Sequence, residues 1–282
     1  MGLKIYGSIG LIVLAGWLAP AQESEAQAGA APQAAAKQPT ELAPAPVVLQ
    51  NSGKPMAVPL DCADEDFQWA GMVCSADDPC PVYLEITAVE SVGVHLFAAG
   101  NIHSSSVTLY SELLVSDDNG ETWREGAERI RGAGFDRIQF ADAQNGWVSG
   151  QALFPYSRNP FLMVTNDGGK TWNRQNVFAE EHPGDLYDFF FTTRQDGRLI
   201  FDIGRGGGAN RFELYESRDG GANWSIRGTS ARPPLLRSVP TVAVWRARVD
   251  APTQSFALEK RSSDRWARVA AFAVKLAMCP AK

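Results

Sequence analysis

Four carboxylates, Glu85, Asp136, Asp188 and Asp202, lie in short apolar or alternating stretches that read as strands. Hydrolysis of a glycosidic bond needs two such groups at a suitable separation, one to give a proton and one to act as base or nucleophile. Linear sequence does not give that separation, and a solvated or turn carboxylate is the plain alternative for each. The run Gly204–Asn210, GRGGGAN, has the glycines of a phosphate-cradling loop. Such a loop needs a helix behind it to aim N–H groups at the anion, and strands flank this one, so it reads as a hairpin loop. His95, His103 and His182 are scattered without ligand spacing. Phe154, Tyr156, Tyr187 and the run Phe189–Phe191 are aromatics near loops or central strands. Alternate members of such a run belong in a core, and an exposed one could rim a peptide or glycan groove.

The elements that must position these groups are announced by a repeat. Three eight-residue turns, SDDNGETW, TNDGGKTW and SRDGGANW, align without gaps as Ser116, Asp118, Gly120, Thr122, Trp123; Thr165, Asp167, Gly169, Thr171, Trp172; and Ser217, Asp219, Gly221, Asn223, Trp224. The aspartates are 49 and 52 residues apart. A period near fifty with strands between turns indicates propeller blades. The Asp accepts hydrogen bonds from backbone N–H groups of its own turn, the Gly supplies positive φ, and the Trp covers the hairpin base. A weaker repeat one strand earlier places an aromatic three residues before Gly100, Gly150 and Gly204, which with one further strand makes four per unit. After Pro240 a fourth unit has three readable strands and no box: Glu259, Arg261, Ser263 and Arg265 occupy the aligned positions before Trp266.

At these residues the chain resembles the Asp-box (BNR) repeat proteins of the sialidase-like superfamily, and its repeat is most similar to that of photosystem II assembly and stability factor-like (WD40/YVTN/BNR-like) propellers. The resemblance covers about half the chain, from Tyr83 to Arg227. It implies a propeller whose boxes are structural and remote from any catalytic face. A sialidase would need three arginines on the sugar carboxylate, a Tyr–Glu nucleophile pair and an acidic Asp. The early Phe-Arg-Ile-Pro segment is absent, the stretch Phe135–Phe140 lacks its Pro, and nineteen arginines make a chance trio easy.

Composition bounds the rest. Lys4 and the apolar run that follows, with small residues at Ala21 and Ala28, read as a secretory signal peptide over residues 1–28. Residues 22–50 contain eighteen Ala, Pro or Gln among 29, which indicates a disordered linker, placed at 29–57. Residues 58–282 form the propeller domain. Between Ala57 and Glu125 thirteen acids face one Arg, whereas Ile226–Lys282 carries eleven Lys or Arg against three acids. No contiguous basic face for nucleic acid follows from that split. Cys62, Cys74, Cys80 and Cys279 fit disulfides in an exported chain better than a metal site. Three connectivities are open. The acidic start and basic end favour a bond between Cys279 and an early cysteine, with Cys62 preferred and Cys74–Cys80 closing locally.

The expectation is therefore an exported, all-β, small or incomplete β-propeller of four to five four-stranded blades, without cofactor, metal or membrane span after signal cleavage. Lacking a convergent catalytic set, it reads as a non-catalytic scaffold for an unidentified protein partner, with a glycan as the other candidate ligand. The alternative is a carbohydrate-active glycoside hydrolase of the sialidase-like superfamily. Acids or arginines converging in a channel mouth favour the hydrolase, and a flat charged face favours the scaffold.

Overall fold

The computed structural model describes residues 47–153, 159–180, 182, 184–204, 210–237 and 244–279. The chain divides into two units, Met1–Pro44 and Ala45–Lys282. The first unit, with the signal peptide expected at 1–28 and linker residues 29–46, lies outside the described residues. So do Phe154, Tyr156 and residues 205–209 of the glycine-rich loop. The rest of the expected linker is part of the domain. Leu49–Gln50 forms strand β1, Asn51 Nδ2 donates to the carbonyls of Gly120 and Val269 at 2.8 Å each, and Met56 and Val58 are buried. Those apolar side chains anchor a stretch whose Ala/Pro/Gln composition suggested none.

Four antiparallel sheets follow. The first contains β2 (Cys80–Val92), β3 (His95–His103), β4 (Thr108–Ser116) and β5 (Thr122–Glu125). The second is β6 (Ala133–Phe140), β7 (Gly146–Ala152), β8 (Asn159–Thr165) and β9 (Asn173–Asn176), and the third is β10 (Asp185–Phe191), β11 (Gly197–Asp202), β12 (Phe212–Ser217) and β13 (Ser225–Ser230). The fourth has three strands, β14 (Trp245–Asp250), β15 (Ser255–Ser262) and β16 (Arg265–Ala273). The last strand, β17 (Lys275–Cys279), leaves the fourth sheet and pairs with β2, while β1 pairs with β5. Both ends of the domain thus complete the first sheet and cover its two edges, where exposed ladder groups would invite association. The segment ahead of the first sheet holds no further blade: it is the short helix α1 (Asp64–Trp69) and a turn closed by Cys74–Cys80. Cys62 pairs with Cys279.

Each box closes as a hydrogen-bonded ring. In the second, Asp167 accepts from the Thr171 N–H at 3.0 Å and the Thr171 hydroxyl at 2.6 Å, while Thr165 Oγ1 accepts from the Gly169 N–H at 2.9 Å. The bonds reach four residues on, two further than a simple Asx turn. The box glycines Gly120, Gly169 and Gly221 have φ of 93°, 86° and 97°, which a Cβ would oppose. The third box uses Asn223 where the others have Thr, and its Nδ2 donates to Asp219 at 2.8 Å.

The box tryptophans serve the neighbouring sheet as well as their own hairpin. Trp123 meets Phe272 of the fourth sheet edge-on at 5.2 Å, Trp172 meets Phe97 of the first at 6.2 Å, and the third box accepts at Gly220 O from Trp147 Nε1 of the second at 3.0 Å. Three apolar cores lie between these partners, joining the fourth sheet to the first, the first to the second, and the second to the third. Register shows what receives each box. Leu96, Gly146 and Gly197 pair with the box residues Ser116, Thr165 and Ser217, so Phe97, Trp147 and Arg198 are equivalent. The aromatic-to-glycine repeat expected from sequence is therefore displaced in the third sheet: Phe201, not Gly204, corresponds to Gly100 and Gly150. Where the first two sheets offer an aromatic socket, the third has Arg198 paired with Glu216 at 3.1 Å. The fourth sheet, which would fill that socket, has lost the box. Among the described residues no core cluster joins the third sheet to the fourth.

Candidate functional site

Three consecutive first strands carry a β-bulge at the same register position. Pairing skips Thr87 between Ile86 and Ala88, Asp136 between Phe135 and Arg137, and Tyr187 between Leu186 and Asp188. The residues opposite are Gly100, Gly150 and Phe201, so the bulges are equivalent in the repeat. A bulge leaves its extra residue out of the ladder and re-aims the side chain, a device found beside active sites. Here all three side chains line one open cavity of about 590 Å³, together with Arg137, Gln151, Asp185, Leu186 and Asp202.

The carboxylates in this cavity differ in electrostatic state. Asp136 is open to the cavity, yet the surrounding strands desolvate it and raise its pKa. Arg137 opposes that rise, and the charges of Glu85 and Asp185 add to it. Asp136 takes no hydrogen bond from a described residue. Asp202 is the reverse case. Arg211 grips it with Nε to Oδ1 at 2.8 Å and Nη2 to Oδ2 at 2.6 Å, and this bonding, with the Gly204 N–H, holds its pKa below the ordinary value despite some desolvation. Asp185 is oriented by Gln151, whose Nε2 donates to Oδ1 at 3.1 Å and to the Gly184 carbonyl at 3.3 Å. Thr87 Oγ1 lies 3.1 Å from the Ala99 carbonyl and 2.9 Å from the Phe135 carbonyl, the residue before Asp136, and ties the first two inner strands together.

Of the four carboxylates singled out in sequence, Asp136 and Asp202 line the cavity and Glu85 acts on Asp136 through its charge. Asp188 faces Arg137 at 3.4 Å. Asp185, the first residue of its strand, was not among the residues singled out in sequence; it lines the cavity and its charge acts on Asp136. The fifteen box residues lie in the hairpins and do not reach this cavity. Phe189 and Phe191 are core, 2% and 1% exposed, whereas Tyr187 between them and the cavity is 44% exposed. His95 pairs with Asp117, His103 with the Ser104 carbonyl, and His182 with Tyr215 and Glu213. Among the described residues no group of His, Cys, Asp or Glu could hold a metal ion.

A family model described as BNR/Asp-box repeat matches residues 114–125. Among curated sequences none matches significantly. Solved structures that match include an alpha-L-arabinofuranosidase from Fusarium graminearum with an iminosugar inhibitor, at 16% identity and a TM-score of 0.38, covering 76% of this chain and 61% of that one. The GH93 alpha-L-arabinofuranosidase of Fusarium graminearum with arabinobiose matches at 14% identity and a TM-score of 0.39, covering 79% and 65%. The chain thus spans less than two thirds of the length of these enzymes. The matches do not extend to the photosystem II assembly-factor likeness. The reading as a non-catalytic scaffold is corrected: its premise was the lack of converging groups, and Asp136, Asp185 and Asp202 converge on one cavity. The family-model match thus identifies a BNR/Asp-box repeat at residues 114–125, and the four antiparallel sheets give the chain an all-β, propeller-like fold.

Proposed function

We propose that the bulge-lined cavity is a glycoside-hydrolysing site of an exported, carbohydrate-active protein. The observation that carries this is Asp136, a carboxyl group with raised pKa in the same cavity as Asp185 and the ionised Asp202. A proton-holding carboxyl and a second carboxylate in one cavity are what acid–base hydrolysis requires. Asp136 holds the proton and delivers it to the glycosidic oxygen. Asp185, oriented by Gln151, supplies the second carboxylate at the anomeric carbon. Asp202, locked by Arg211, stays charged and binds sugar hydroxyls. Export fits the two disulfides, and among the described residues no helix is long and apolar enough to cross a membrane.

The test is turnover of an aryl glycoside panel that includes an alpha-L-arabinofuranoside. Asp136→Asn should lower kcat by about 10²–10⁴-fold, the range for a lost general acid, at an unchanged melting temperature. The alkaline limb of the wild-type pH profile should disappear with it. No turnover of any glycoside, or full activity in Asp136→Asn, overturns the reading.

A further inference from the structure

Tyr187 is a large aromatic at the middle of an innermost strand, where its neighbours Leu186 and Phe189 are buried, yet it is 44% exposed. The bulge accounts for this: the residue that leaves the ladder points into the cavity with Thr87 and Asp136. The ring is held, not loose. Phe212 meets it edge-on at 5.4 Å, and the guanidinium of Arg211 lies 5.0 Å over the Phe212 ring while gripping Asp202. An aromatic face and a charged carboxylate fork are therefore fixed side by side on one wall of the cavity.

We propose that Tyr187 is a sugar-stacking platform and that the site selects neutral glycans over acidic ones, an inference that rests on reading this cavity as a glycan site. The C–H face of a pyranose or furanose ring packs on the aromatic face, and the outward hydroxyls bond to polar groups around it. The Asp202 carboxylate accepts from such hydroxyls, and Arg211 Nη groups flank it. Charge then sets the class of sugar. Asp136, Asp185 and Asp202 line the cavity. Of the two arginines at the site among the described residues, Arg137 faces Asp188 at 3.4 Å and Arg211 is committed to Asp202 at 2.6 Å. With Asp136 holding its proton, a sugar carboxylate entering here still meets Asp185 and Asp202 and two arginines already paired, so like-charge repulsion and lost pairing count against it.

The experiment uses the full chain carrying Asp136→Asn, so that binding is measured without turnover. Isothermal titration compares neutral arabino-, xylo- and galacto-oligosaccharides with galacturonate oligomers and sialyllactose. At least one neutral oligosaccharide should bind, with the acidic ones weaker by about tenfold or more, a step equivalent to one decade in Kd. Adding Tyr187→Ala should weaken the neutral ligand by about tenfold while Tyr187→Phe keeps it, since stacking needs the ring and not the hydroxyl. Equal or tighter binding of the acidic sugars, no effect of Tyr187→Ala, or no binding of any sugar overturns the inference. Wild-type turnover is read separately. Tyr187-dependent binding without hydrolysis leaves the platform in place and removes the hydrolase.

Discussion

Glu112 on β4 is fully buried, and among the described residues its only charged support is Arg129, whose Nε donates to Oε2 at 2.8 Å, while the other oxygen has no hydrogen-bond partner. Desolvation outweighs Arg129, and the nearby Glu125 adds to it, so the pKa rises from 4.5 to about 7. A carboxyl with a raised folded-state pKa binds its proton more tightly folded than unfolded. Its contribution is fully present below 4.5 and is lost as pH climbs through about 7. Glu112→Gln keeps an acceptor for Arg129 and removes the buried charge. The variant should melt higher than wild type at pH 8 and at the same temperature or lower at pH 4, measured as a melting-temperature series against pH. A destabilised variant at pH 8 refutes this account.

At the scale of elements, a box is a plug for the adjoining sheet, and its worth depends on the socket. Trp123 is 1% exposed and packs on Phe272, so its removal leaves a cavity between the first and fourth sheets. Trp123→Ala should cost about 3–5 kcal/mol in denaturant unfolding, as for other buried Trp truncations. Trp172 is half-buried beside Phe97 and Phe140, and its truncation should cost distinctly less. Equal costs would show that the Trp serves its own hairpin and not the neighbour. The same logic explains the third sheet. Arg198 and Glu216 replace the aromatic and valine found at Phe97–Val115 and Trp147–Val164, and the fourth sheet carries Ser263, at φ 55°, in place of a box glycine. Socket and plug have changed together.

For the whole molecule, the disulfide Cys62–Cys279 spans 217 residues and fastens the segment entering the first sheet to β17. Cys279 is buried at the end of that strand, opposite Cys80, which is itself bonded to Cys74. Closing so long a loop restricts the unfolded chain, which in the chain-entropy model stabilises by about 5 kcal/mol. Cys279→Ser should therefore lower stability by up to about that amount, read as a fall in the denaturant midpoint. Cys74→Ser/Cys80→Ser opens only a short loop and should cost less. A larger loss from the short bridge would mean that strain or local packing, not chain entropy, governs both.

The repeat was legible in sequence because its turn chemistry is local: Asp, Gly and Thr bond within eight residues, so spacing alone identifies them. Alternation likewise marked Phe189 and Phe191 as core, and the boxless stretch before Trp266 marked a divergent fourth unit. Four cysteines allow three connectivities, and the acidic start and basic end favoured Cys62–Cys279 with Cys74–Cys80, the pairing the structure has. Tertiary structure decided the rest, for reasons that are not local. A bulge shifts register by one residue, and that shift turns Thr87, Asp136 and Tyr187 toward one cavity while leaving the alternation of their strands unchanged to the eye. The proton affinity of Asp136 depends first on its burial and then on the charges of Arg137, Glu85 and Asp185, the last two each about fifty residues away in sequence. Strands β1 and β17 found their places in the first sheet because pairing partners are chosen by the folded edges, which a one-dimensional pattern does not contain.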